Sequence, residues 1–302
     1  MKIDVLVVRY LQHLSIEEKS ENTVKGYGMC YRRFIQWLNS SWGEVTEIED
    51  VSQTIIRDFK SFLESRIDLR SGKHLSPITI NHYLTALKSL FLFAKIEGIK
   101  FRSEPISAIK LIPIARQNET RWLRPEEVKR IFHAIERLER TSDKRKALYK
   151  AVVAILVNCG LRVEEVSDLL ITDVILQSGL IIVRSGKGGK YRQVPFHHKT
   201  SENIKQWLSF HDGRSGYLFY SQRSAHMSTR AIQHMIEKLS ELTQIEFTVH
   251  QLRHTFGKRI TEIRGIEYAA SLMGHTDIKT TRRYVEPSIQ ELRSVVEEIE
   301  EG

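Results

Sequence analysis

From Val24 the apolar positions Val24, Tyr27, Tyr31, Phe34 and Leu38 fall three and four residues apart. That spacing lines up one face of an α-helix. Asn22 or Thr23 is placed to cap its start. Ile55, Ile56, Phe59, Phe62 and Leu63 repeat the pattern. A third copy opens at Ser76-Pro77, a cap followed by proline at the first helical position, and continues through Ile80, Tyr83, Leu84, Leu87, Phe91 and Ala94. A shorter one covers Val5 to Leu14. Four helices with short polar connections predict a small helical bundle over residues 1–110.

The periodicity lapses over residues 111–120, where Leu111-Ile112-Pro113-Ile114 gives way to polar chain. This marks a linker. A new helix start follows at Leu123-Arg124-Pro125-Glu126-Glu127, with its acids at the end that favours negative charge. Val128, Ile131, Phe132, Ile135 and Leu138 form its apolar face. Ala147 to Cys159 is apolar nearly all round and ends at Gly160, which predicts a central helix. Three short strands are expected at Val174 to Leu176, Leu180 to Val183 and Tyr191 to Pro195, separated by turns at Gln177-Ser178-Gly179 and Ser185-Gly186-Lys187-Gly188-Gly189. Helices resume near Thr200, at Ser228 to Leu242, and from Thr248 onward. The fold class is thus mostly α with a small antiparallel β-sheet. The chain divides into an N-terminal helical domain (1–110), a linker (111–120), an α+β domain (121–287) and a helical tail (288–302). In that tail Ile289, Leu292, Val295, Val296 and Ile299 share a face, and acids close the chain.

Composition narrows the classes. With 302 residues, two domains are expected. Lys and Arg number 46 against 37 Asp and Glu, a formal charge of +9 that favours a polyanionic partner. Two distant cysteines, Cys30 and Cys159, build neither a disulfide framework nor a thiolate zinc site, and a reducing cytoplasm is the simplest compartment. The N-terminus carries Asp4 and Arg9 within its apolar stretch, unlike a signal peptide, and the run Ala151 to Val157 is too short to cross a bilayer. No membrane partner is expected.

Five clusters in the second domain carry candidate chemistry: Gly160-Leu161-Arg162-Val163-Glu164-Glu165, Ser185 to Lys190, His250-Gln251-Leu252-Arg253-His254, Leu272-Met273-Gly274-His275 and Thr280-Thr281-Arg282-Arg283-Tyr284. Taken singly each has a plain reading: a surface arginine, a hairpin turn, a half-buried tyrosine. The glycine loop lacks the spacing of a P-loop and leads into a strand. His250 and His254 lack the glutamate of a zinc helix, Gln251 standing there. Together, however, two arginines, two histidines and a lysine are the donors a phosphodiester needs. Arginine forks match phosphate oxygens and keep their charge. Such charges stabilise a pentavalent transition state. Histidine adds donors or proton transfer near neutral pH, and a tyrosine oxygen is a competent nucleophile. No cluster of acids suggests a two-metal site.

These five motifs, in this order and spacing, resemble those of the tyrosine recombinases, the phage integrase family with its Xer-type members. The resemblance spans essentially the whole chain. It implies that Arg162, Arg253, His250 and His275 hold the scissile phosphate. Tyr284 would attack it to give a 3′-phosphotyrosyl bond, and Lys187, in the hairpin followed by Arg192 and Pro195, would protonate the leaving 5′-oxygen. Glu165 would orient Arg162. The phosphoester energy is conserved in the covalent bond, so no cofactor, ATP or metal, is implied. The implied partner is double-stranded DNA with short inverted-repeat core sites, clamped by both domains and bound by a tetramer joined through the C-terminal tail. Gly257 and Glu286 depart from the family's commoner alanine and histidine without removing a catalytic group. Two alternatives keep the fold: a type IB topoisomerase-like relaxing enzyme, and a DNA-binding regulator that does not cut.

Overall fold

Several helices of this chain begin where a serine hydroxyl accepts an otherwise unpaired amide. Ser20 accepts from the Thr23 amide at 3.2 Å, Ser52 from Ile55 at 3.4 Å and Ser76 from Thr79 at 3.2 Å. They open α2 (Glu21–Ser41), α3 (Gln53–Ser65) and α4 (Pro77–Ile96), which follow α1 (Ile3–Ile16). The cap of α2 is Ser20 rather than the expected Asn22 or Thr23, because the polar turn at Glu21 and Asn22 is already helical. The computed structural model describes residues 1–17, 19–68, 72–114, 121–184, 191–213, 215–221 and 224–274.

The chain divides into two compact units, Met1–Gln117 and Asn118–Gly302. In the first, the four helices converge on an aromatic core. Phe34 of α2 and Phe59 of α3 meet edge to face at 5.0 Å, with Leu6, Leu84 and Phe91 closing around them. The buried Tyr31 hydroxyl donates to the Ala86 carbonyl at 2.9 Å, which answers the cost of placing a polar atom there.

In the second unit α5 (Pro125–Glu136) leads to α6 (Asp143–Asn158), whose residues Ala151 to Val157 are all buried. This helix packs against α5, α8 (His198–Leu208) and α10 (Val249–Arg264), which explains why it is apolar on every side. It starts four residues before the expected Ala147, at the point where Ser142 caps it. The sheet has order β1-β2-β3, built from β1 (Val174–Ile175), β2 (Leu180–Arg184) and β3 (Tyr191–Pro195), all antiparallel. Ile181, Val183 and Val194 face the core. After α9 (Thr229–Thr243) the described part of the helical stretch from Thr248 forms two helices. Gly265, at φ +89°, breaks it into α10 and α11 (Ile266–Met273). A five-residue helix, α7 (Val163–Ser167), lies between α6 and the sheet and is too short to show a period in sequence.

Both cysteines are buried free thiols, and burial raises their pKa to about 11 for Cys30 and about 12 for Cys159. Among the described residues no helix is long and apolar enough to cross a membrane.

Candidate functional site

Arg162 stands at the N-cap of α7, and Glu165 one turn on reaches back to it. The Arg162 amide donates to Glu165 Oε2 at 2.7 Å and its Nη1 to Oε1 at 3.0 Å. Arg192 arrives from β3 and grips the same carboxylate with Nη1 and Nη2, each at 2.7 Å. Arg253 of α10 brings Nη1 to 3.8 Å from Oε2. Three guanidiniums from three elements thus surround one carboxylate, leaving a formal charge of +2. Burial by itself would push the Glu165 carboxyl up. The Arg192 hydrogen bonds and charge, with the Arg162 amide and charge, outweigh that and hold it below the usual carboxylate range.

The end of α11 fixes the arginines a second time. Its last carbonyls have no partner within the helix and carry the negative end of its dipole. Arg192 Nε donates to Leu272 O at 3.0 Å, Arg253 Nη2 to Met273 O at 2.9 Å, and Arg162 Nη2 to Gly274 O at 3.1 Å. Three consecutive carbonyls therefore each take one arginine. Arg253 Nη1 also donates to the Gly160 carbonyl. Arg253 and Arg192 are 6% and 15% exposed, whereas Arg162 is 41% exposed, so Arg162 presents the site to solvent. Planar, permanently charged donors held this rigidly suit a phosphate or another oxyanion.

Gly160 makes this arrangement possible. It turns the chain at φ +61°, and a Cβ there would lie 2.2 Å from Phe256 Cδ1. Gly160→Ala is expected to cost about 3 kcal/mol, combining left-handed backbone strain with the clash against the ring. Urea denaturation measures it; a change below about 0.5 kcal/mol would show that the turn relaxes freely.

Arg162, Glu165 and Arg253, all expected from sequence, come together here. His250 lies one turn before Arg253 on α10, near the Thr248 cap, and is exposed. Its ring meets that of buried His254 edge to face at 5.0 Å. Lys187, His275 and Tyr284 lie outside the described residues. Arg192 was not among the expected site residues. Its sequence signal was its place five residues after Lys187, on a strand whose neighbouring side chains point outward. Among the described residues no group of three or more His, Cys, Asp or Glu side chains is placed to hold a metal ion.

Residues 121–291 match the phage integrase family, and residues 7–98 match the phage integrase N-terminal SAM-like domain. The tyrosine recombinase XerA of Thermococcus onnurineus is 30% identical over 300 residues, covering 98% of this chain and 95% of the relative. The TnP I resolvase of Bacillus thuringiensis is 27% identical over 303 residues, covering 96% and 98%. Among solved structures, the Tn1549 transposon integrase in complex with transposon right-end DNA superposes with a TM-score of 0.73 at 19% identity, covering 99% of both chains. The chain belongs to the phage integrase family and is a tyrosine recombinase. These likenesses do not favour the relaxing enzyme or the non-cutting regulator.

Proposed function

We propose that the +2 pocket of Arg162, Arg253 and their partners receives the scissile phosphate of a DNA site, with His250 and His275 as further donors. The phenolic oxygen of Tyr284 loses its proton to water and forms a bond to phosphorus while the bond to the 5′-oxygen breaks. Lys187 gives that oxygen its proton, leaving a 3′-phosphotyrosyl link and a free 5′-hydroxyl. Glu165 orients Arg162. The reverse attack by a 5′-hydroxyl from a partner strand completes exchange, with no metal or ATP taking part. The observation that carries this reading is the convergence of three guanidiniums on Glu165 and on the end of α11.

The substrate is double-stranded DNA with short inverted-repeat core sites, and the formal charge of +9 suits such a partner. Residues 1–110 form the DNA-binding domain, 111–120 the linker, 121–287 the catalytic domain and 288–302 the tail, with the reaction in the cytoplasm. The test is incubation with a nicked suicide site in EDTA, followed by denaturing electrophoresis. A detergent-resistant protein–DNA band is expected; its absence with DNA that the protein binds would refute the reading.

The tail joins protomers into the DNA-bound tetramer through the face of Ile289, Leu292, Val295, Val296 and Ile299. Deleting residues 289–302 should leave half-site binding nearly intact while cooperative full-site binding and strand exchange both fall. Gel shifts and a recombination assay read the two; unchanged cooperativity and exchange would return the tail to its own domain.

A further inference from the structure

Arg192 has no part in the reaction as proposed above, yet it holds Glu165 by both oxygens. It sits on β3 opposite Val183, and both of its terminal nitrogens lie 2.7 Å from the carboxylate. Its Nε is spent on Leu272 O, and its side chain lies against Gly274, where a Cβ would be 3.0 Å from Arg192 Cδ. A fork-to-fork pair of this kind is the strongest way to balance a carboxylate with one cation. The other two arginines hold Glu165 less completely: the Arg162 side chain by one nitrogen at 3.0 Å, Arg253 at 3.8 Å.

Glu165 creates a conflict that some residue must resolve. It is needed because it fixes Arg162 through both the amide and the side chain. It is also a negative charge within a site for a phosphate, where it repels the substrate and competes for the guanidiniums. We propose that Arg192 is a positioning residue that neutralises Glu165, so that the charges of Arg162 and Arg253 stay directed at the phosphate. The inference rests on the phosphate site proposed above. With Arg192 the four charged groups sum to +2. Without it they sum to +1, and the carboxylate draws on Arg162 and Arg253 alone, the donors the phosphate needs.

The test uses full-length Arg192→Gln, Arg192→Lys and the double variant Arg192→Gln/Glu165→Gln. Each is followed by single-turnover adduct formation on a nicked suicide site, by half-site gel shift and by thermal melting. Arg192→Gln should slow adduct formation about 10²-fold, the size of losing one transition-state donor. Half-site affinity should move less than roughly threefold, because surface cations supply most of it. Arg192→Lys keeps the charge without the fork and should fall between Arg192→Gln and the wild type. Adding Glu165→Gln to Arg192→Gln should recover at least about tenfold in rate, since removing the carboxylate that now competes for Arg162 and Arg253 removes the fault. A purely structural strut predicts the opposite: the second substitution deepens the defect. The proposal is overturned if the double variant is no faster than Arg192→Gln, or if Arg192→Gln matches the wild type. Should Arg192→Gln melt below the assay temperature, Arg192→Lys decides. Cleavage within about tenfold of wild type then supports the charge role, and a loss of about 10²-fold overturns it. A wild-type chain that forms no adduct would instead refute the phosphate-cleavage reading itself.

Discussion

Tyr284→Phe is expected to bind site DNA as the wild type does and to form no covalent adduct. The substitution removes one oxygen and keeps the ring, so packing around it changes little. What is lost is the only atom proposed to bond to phosphorus. Removing a nucleophile from a preorganised site costs on the order of 10⁴–10⁶-fold in rate. The arginines proposed to hold the phosphate remain, so binding is expected to persist. A suicide site gives an adduct that survives detergent with the wild type and none with the variant. An adduct of normal yield from Tyr284→Phe would move the nucleophile to another residue.

The second large effect belongs to Lys187→Ala. A 5′-alkoxide is a poor leaving group, and supplying its proton in the transition state is worth roughly 10²–10⁴-fold. Cleavage should fall by that amount while half-site binding changes far less. Substrate chemistry separates this role from a loss of binding or fold. A site with sulfur in the 5′-bridging position releases a thiolate, which leaves without a proton. The variant should therefore approach wild-type rates on the sulfur substrate. Equal defects on oxygen and sulfur substrates would refute the general-acid assignment.

Much of the scaffold can be read from the sequence, because packing demands leave a trace in periodicity. The full burial of Ala151 to Val157 follows from a run that is apolar all round, and the three strands are set off by their glycine turns. Short or interrupted elements escape such reading. α7 has five residues, less than two turns, and Gly265 divides a stretch whose side-chain pattern alone runs on. The site shows the same division. Arg162 and Glu165 are three residues apart, so their capping contact is implied by local geometry. Arg192 meets Glu165 across 27 residues, and its role depends on how the sheet lies against α7 and α11. No local pattern encodes that meeting. The convergence of the α11 carbonyls on three arginines is likewise visible only once the helix end is in place.

The two buried thiols have a practical consequence for watching this enzyme at work. The thiolate is the form that maleimides and haloacetamides attack. Cys30 and Cys159, both buried and with their thiols pushed up to about 11 and about 12, hold almost none of it near neutral pH. The native chain is therefore nearly silent to thiol-directed dyes. A single cysteine introduced at an exposed position, such as Met29 in the first unit or Ile263 in the second, becomes the one reactive handle without either native cysteine being replaced. A fluorophore attached in this way would report DNA binding by a chain whose proposed catalytic residues are all unmodified.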